Sequence, residues 1–216
     1  MHIFAIGDIH GRADRLAALL ARLTALRPEA RFVFLGDYID RGGQTRRVIE
    51  TLLALREARP DTVFLMGNHE AMLARHAAGR DLEELRSLRG IGFQATLDSY
   101  PAASGKQGLD FMPESHRTFL SGLARWHGIP GYTFFHAPLP YGTDPDEAQG
   151  AGLEYLLSRR DLAGLGWERH GETLVFGHMP VKTPLVSDGL IGIDTGAGYG
   201  RILTAVELPA LRFHHA

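Results

Sequence analysis

Short apolar runs alternate with amphipathic stretches along the first third of the chain, and together they set the reading of the fold. His2 to Ile6, Phe32 to Leu35, Val63 to Met66, Thr133 to Phe135, Leu174 to Phe176 and Leu190 to Ile193 are rich in Val, Ile, Phe and Leu. Runs of this length and composition predict buried strands. Between the first three, Ala13 to Leu26 carries Leu16, Leu19, Leu20 and Leu23 on one face, and Thr45 to Arg56 carries Val48, Ile49, Leu52 and Leu53. That is the spacing of helices covering a sheet. Strand, helix, strand, helix, strand predicts βαβ units with parallel early strands. Further helices are expected over Ala71 to Ala78, over Asp81 to Leu88, and from Pro113 to about Trp126, with Pro113 in the first helical position. Gly90 to Gly108 carries no firm periodicity. Pro138 to Gly152 is rich in turn residues and is expected to form a loop shaping substrate access.

Each strand-like run ends in a polar cluster: GDIHG, GDYIDRG, GNHE, HAP, GHMP and DTGAG. Ligands of parallel α/β sheets bind at the carboxyl ends of strands, where these clusters begin. Asp8, Asp37 and Asp40, the amide of Asn68, and the imidazoles of His10, His69, His136 and His178 would converge on one rim. Taken singly, each is an ordinary turn or cap residue. Together they read as a metal site, because gathered carboxylates repel one another unless a cation compensates them. The donors are too many for one ion. If Asp37 bridges, Asp8 and His10 complete one position while Asn68, His136 and His178 complete another, giving a dinuclear centre.

Composition narrows the chemistry. The 216 residues include no cysteine, so any metal is held by oxygen and imidazole nitrogen. A formal net charge of −2 leaves no global positive field to attract nucleic acid or an anionic membrane. The N-terminal MHIFAIGDIHG has no basic leader, and its apolar run stops at Gly7. A cytoplasmic protein of one domain, residues 1–216, is expected.

In order and spacing, GDIHG, GDYIDRG, GNHE, the strand-end His136 and the Gly177-His178 pair resemble the phosphoprotein phosphatase family of calcineurin-like metallophosphoesterases, nearest to the short bacterial and phage lambda type. The resemblance implies a four-layer αββα sandwich with a dinuclear site at strand C-terminal ends. Two divalent ions, usually manganese, would activate a bridging hydroxide for in-line attack on a phosphate monoester without a covalent intermediate; iron, zinc and cobalt suit the same donors. It also implies Arg41 as the phosphate clamp and His69 as the general acid, with Asp40 holding its tautomer. Arg159, or its neighbour Arg160, is the candidate second arginine, and Arg12 faces either phosphate or solvent.

HAP stands where the family has HAG or HGG, which puts substrate choice in question, and the further histidine of the GHxH element is missing. The leading expectation is therefore a serine/threonine protein phosphatase acting on a phosphorylated protein or peptide. The alternative is a dinucleotide polyphosphate hydrolase resembling the symmetrical diadenosine tetraphosphatases, which run longer. A nuclease or a catalytically silent phosphoprotein adaptor ranks below both. Glu70 and Asp194 read as residues supporting the ligands or their turns. His2, His76, His116, His127, His170, His214 and His215, with Trp126 and Trp167, read as packing or surface residues.

Overall fold

The computed structural model describes residues 2–79, 82–101, 108–140, 142–146, 151–160 and 171–216. Asp81, Trp167 and His170 lie outside them, as do parts of the Gly90 to Gly108 and Pro138 to Gly152 stretches. The elements run β1 (Ile3–Ile6), α1 (Ala13–Leu26), β2 (Arg31–Phe34), α2 (Thr45–Ala58), β3 (Val63–Phe64), α3 (Asn68–Gly79), α4 (Leu82–Gly90), α5 (Phe93–Asp98), α6 (Glu114–Ser121), β4 (Trp126–Ile129) and β5 (Tyr132–Phe135). They continue with α7 (Ala151–Leu157), β6 (Thr173–Phe176), β7 (Leu185–Ser187), β8 (Leu190–Gly192), a 3-10 turn at Ala197–Tyr199, β9 (Thr204–Leu208) and β10 (Arg212–His215).

Two five-stranded mixed sheets result, in the orders β10-β9-β1-β2-β3 and β4-β5-β6-β8-β7. The first has β1, β2 and β3 parallel and the second β5, β6 and β8 parallel. Strand periodicity builds the layers, since successive side chains point to opposite faces. In β1 and β2, Phe4, Ile6, Phe32 and Phe34 pack against Leu16, Leu19, Val48, Ile49 and Leu52 of the helices. The alternate positions Ile3, Ala5 and Val33, with Leu35, meet Phe134, Val175 and Ile191 between the sheets. On the outer face of the second sheet, Phe135, Leu174 and Phe176 pack on Leu156 and Leu157 of α7. Helix, sheet, sheet, helix is the expected four-layer αββα sandwich. Each fully buried Leu or Phe in these layers is worth about 1.5–3 kcal/mol, so the strand ends that carry the polar clusters are rigidly held.

The structure departs from the sequence expectation at several points. The helix expected to reach Trp126 stops at Ser121, with Gly122 as its C-cap. Trp126 instead opens β4, which pairs antiparallel with β5 across a turn containing Pro130 and Gly131, the latter at φ 86°. The third strand is short, Leu65 forming an isolated bridge to Ala124 beyond it. β7, β9, β10, α5 and α7 were not expected. In β9 the polar pattern hides the strand, because Glu207 is buried and paired with Arg27 and His2, each at 3.0 Å.

Candidate active site

Six of the strands deliver their carboxyl ends to one place. Asp8 and His10 follow β1, Asp37, Asp40 and Arg41 follow β2, and Asn68, His69 and Glu70 open α3 just beyond β3. The second sheet supplies His136 after β5, His178 after β6 and Asp194 after β8. The turns after β1 and β2 are joined by backbone hydrogen bonds. Ile9 and His10 N–H donate to the Asp37 carbonyl at 3.0 and 2.8 Å, and Gly11 N–H donates to Tyr38 at 2.9 Å. Among the described residues, five of the six non-glycine positions with positive φ are His10, Asp37, Asp40, Arg41 and His178, at φ 46–70°. Left-handed backbone costs about 1–2 kcal/mol per residue, so the surrounding contacts must hold these turns in place.

Glu70 is the main such contact. Its Oε2 accepts the Gly67 and Asp37 N–H groups, both at 3.0 Å, and its Oε1 accepts those of Tyr38 at 2.9 Å and Ile39 at 3.3 Å. Two close approaches add to it. A Cβ on Gly67 would overlap the Asp37 carboxylate, and one on Gly177 would overlap that of Asp8. Asp8 is oriented from the other sheet by the His178 N–H, 3.0 and 3.1 Å from its two oxygens.

The imidazoles are fixed in one tautomer. His10 Nδ1 donates to the Ile39 carbonyl at 2.9 Å and His136 Nδ1 to the Leu35 carbonyl at 2.7 Å. Each then presents its Nε2 lone pair to Asp37, at 3.4 Å in both cases. A lone pair facing a carboxylate oxygen with no proton between them is repulsive unless a cation sits at the junction. Asn68 Oδ1 lies 3.1 Å from His136 Nε2, and His10 Nε2 is 3.9 Å from Asp8. His178 bonds the Ser158 backbone, while its Nε2 is buried without a hydrogen-bond partner among the described residues. The ligand atoms of Asp37, His136 and His178 lie within 4.8 Å of one another, as do those of His10, Asp37 and His69.

Electrostatics point the same way. Burial lowers His10 and His178 to about 3 and lowers His136, so all three are neutral at neutral pH, the form a metal ligand needs. Burial, then Asp194 and Asp37, holds Asp8 well above the usual carboxylate range, and burial lifts Asp194 to about 6. Asp37 is held below that range despite its burial, because His136, His69, His10 and His178 surround it. Burial and Asp37 push Glu70 up to about 8, yet four N–H donors converge on its oxygens, an arrangement only the carboxylate satisfies. Cations held in the cluster would restore that ionised form. The donor set fits two divalent ions sharing Asp37, one beside Asp8 and His10, the other beside Asn68, His136 and His178.

His69 stands at the edge of this cluster, braced by Asp40. Its Nδ1 meets Asp40 at 2.6 Å, and its Nε2 is 3.8 Å from Asp37. Burial lowers its pKa, but Asp37 and Asp40 outweigh burial and raise it above the ordinary value. Asp40 is held by the Thr96 hydroxyl at 2.6 Å, and its own N–H donates back to Thr96 at 2.9 Å. The Arg41 guanidinium contacts His10 Nε2 and lies 4.7 Å from the centre of the exposed Tyr199 ring. Thr96 and Tyr199 were missed in the sequence. Thr96 sits in the stretch without periodicity, whereas Tyr199 follows the DTGAG strand end, a signal that was available.

Three sequence candidates fall elsewhere or shift. Arg12 makes its ion-pair contact with Asp14 on α1, at 3.9 Å. Of the two arginines after α7, the exposed Arg160 is the one whose charge reaches His178, while Arg159 is half-buried. Asp194 both accepts the Gly196 N–H at 2.8 Å, closing a turn, and adds its charge beside Asp8. His2, His76, His116, His127, His214 and His215 take no part in either ligand group. Among the described residues, no helix is long and apolar enough to cross a membrane.

Comparison with known proteins agrees with this geometry. The chain is 28% identical over 249 residues to the asymmetrical bis(5'-nucleosyl)-tetraphosphatase PrpE of Geobacillus sp. (strain WCH70), covering 98% of this chain and 92% of that protein. It is 29% identical to the same enzyme of Bacillus mycoides (strain KBAB4), covering 95% and 90%. A solved structure described as a candidate diadenosine tetraphosphatase superposes with a TM-score of 0.73 at 22% identity, covering 100% of this chain and 92% of that one, a likeness of fold. The family model for calcineurin-like phosphoesterases matches residues 1–182: the chain belongs to that family and is a metallophosphoesterase.

Proposed function

We propose that the protein hydrolyses bis(5'-nucleosyl) tetraphosphates asymmetrically, in a centre holding two divalent cations, with manganese as the working metal. What carries this reading is the combination of a cation-demanding ligand cluster with full-length relatives of that name. The serine/threonine phosphatase reading, first in the sequence analysis, takes second place. The argument from length against a dinucleotide substrate falls away, because the relatives are 90–92% covered by this chain.

The bound cations would supply charge compensation for the phosphate chain and acidity for an attacking water. The chain's own residues do the rest. Asp8, His10, Asp37, Asn68, His136 and His178 would hold the metals, with Glu70 and the Ile39 and Leu35 carbonyls fixing the orientation of these side chains. Arg41 offers a planar donor fork to phosphate oxygens, and Arg160 adds positive charge on the His178 side. His69 holds a proton at Nε2 for the departing phosphate oxygen, kept charged by Asp40.

The test is kcat/KM of the manganese-loaded protein on diadenosine tetraphosphate and on a phosphothreonine peptide, with products identified. Preference for the dinucleotide, giving AMP and ATP, is expected. Preference for the peptide would return the protein phosphatase reading, and two molecules of ADP would refute the asymmetric register.

A further inference from the structure

The geometry points to a nucleoside-binding subsite between α3 and α7, one that rests on the dinucleotide reading and sets where the phosphate chain is cut. A cavity of about 310 Å³ opens there, lined by Asn68, Met72 and Arg75 from α3 and by Glu154, Tyr155 and Ser158 at α7. This is at the small end of the roughly 300–1,000 Å³ usual for small-molecule pockets, a size suited to one nucleoside. Its lining has the matching chemistry. Met72 is apolar, and Tyr155 is 68% exposed, a ring available for a base to stack on. The Arg75–Glu154 ion pair ties the two helices together beside it, and the Glu154 carboxylate and Ser158 hydroxyl are polar partners of the kind ribose hydroxyls need.

Position makes the cavity more than a surface cleft. Asn68 is both a wall of the cavity and a candidate metal ligand, 3.1 Å from His136 Nε2, and Ser158, another wall, bonds the His178 ring through its backbone. The cavity therefore abuts the Asn68, His136 and His178 half of the cluster. Arg41 and His69 stand at the other half, against His10. A nucleoside seated in the cavity delivers its own α-phosphate to the ligands, and the rest of the chain extends toward Arg41 and His69. Water attack at that phosphorus forms the new P–O bond and breaks the bond to the triphosphate. The hydroxyl of water stays on the mononucleotide. Its remaining proton passes through His69 to the departing nucleoside triphosphate, so the products are one mononucleotide and one triphosphate.

The experiment compares wild type, Tyr155→Ala and Tyr155→Phe, all manganese-loaded, on diadenosine tetraphosphate and on p-nitrophenyl phosphate, which has no nucleoside. Stacking of a base on an aromatic ring is worth about a tenfold change in binding or more. The ratio of kcat/KM on the dinucleotide to that on p-nitrophenyl phosphate should fall about tenfold in Tyr155→Ala, through KM, and should hold in Tyr155→Phe. The advantage of AMP over inorganic phosphate as a competitive inhibitor should shrink in parallel. If wild type cleaves the dinucleotide but Tyr155→Ala keeps both ratios, the subsite is overturned and the dinucleotide reading stands. If wild type cleaves p-nitrophenyl phosphate and not the dinucleotide, both fall.

Discussion

Replacing Glu70 by glutamine changes one oxygen for an NH2 group and leaves size and shape alone. In the structure, each carboxylate oxygen serves two backbone donors: Gly67 and Asp37 on one, Tyr38 and Ile39 on the other. Whichever way the amide turns, two buried N–H groups lose their acceptor and face another donor. An unsatisfied buried donor costs about 1–3 kcal/mol, so the variant should lose about 2–6 kcal/mol. In a chain of this size, each kcal/mol lowers Tm by about 2–4 °C, giving a fall of about 4–24 °C in a thermal melt of the metal-free protein at about pH 9, above the value of about 8 at which the buried carboxyl ionises without cations. Asp37 sits in the same turn, at φ 51°, so its carboxylate is mispositioned as well. Losing a partner that orients a ligand costs about 10–100-fold in metal affinity, measurable by manganese titration. A variant with wild-type Tm and wild-type manganese affinity would refute the claim that an ionised Glu70 locks the Asp37 turn.

Asp40→Asn removes one of the two charges that hold the His69 pKa above its ordinary value against burial. Because the protonated ring is the proposed donor, the alkaline limb of the kcat–pH profile should move to lower pH, and an unmoved limb would exclude His69 as the titrating acid. Gly177→Ala drives a Cβ into the Asp8 carboxylate. Manganese affinity should fall about 10–100-fold while the near-UV circular dichroism stays native, and unchanged affinity would count against Asp8 as a ligand. Arg41→Lys loses both the donor fork and the contact with Tyr199 at 4.7 Å. Expected is a drop of about tenfold in kcat/KM on phosphoester substrates, and full activity would remove the clamp from the mechanism.

The parts of the fold legible in the sequence were those built from local repeats. The Leu16, Leu19 and Leu23 spacing marked α1 at its observed ends, and the unbroken apolar runs of β1 and β2 marked strands buried on both faces. The site's inner residues were legible for a related reason, since each follows a strand immediately in sequence. Elements that depend on distant partners were not. β9 carries Glu207, which is acceptable in a buried strand only because Arg27 and His2 come from elsewhere to meet it. Likewise, Thr96 reaches Asp40 across 56 positions of sequence, and nothing local distinguishes it from any other threonine. The choice between Arg159 and Arg160 depended on which one the end of α7 turns toward His178. The proposed nucleoside subsite was the least legible of all, because the cavity beside Asn68 exists only once α3 and α7 are packed together.

The most direct test of the account is a manganese titration of the chelator-treated protein by calorimetry, with wild type beside Asp37→Asn, His10→Ala and His136→Ala. Two ions per chain are predicted, with Asp37→Asn weakening both, His10→Ala only one, and His136→Ala only the other. Binding of a single ion, or an Asp37→Asn variant that keeps one site at wild-type affinity, would contradict a two-metal centre bridged by Asp37.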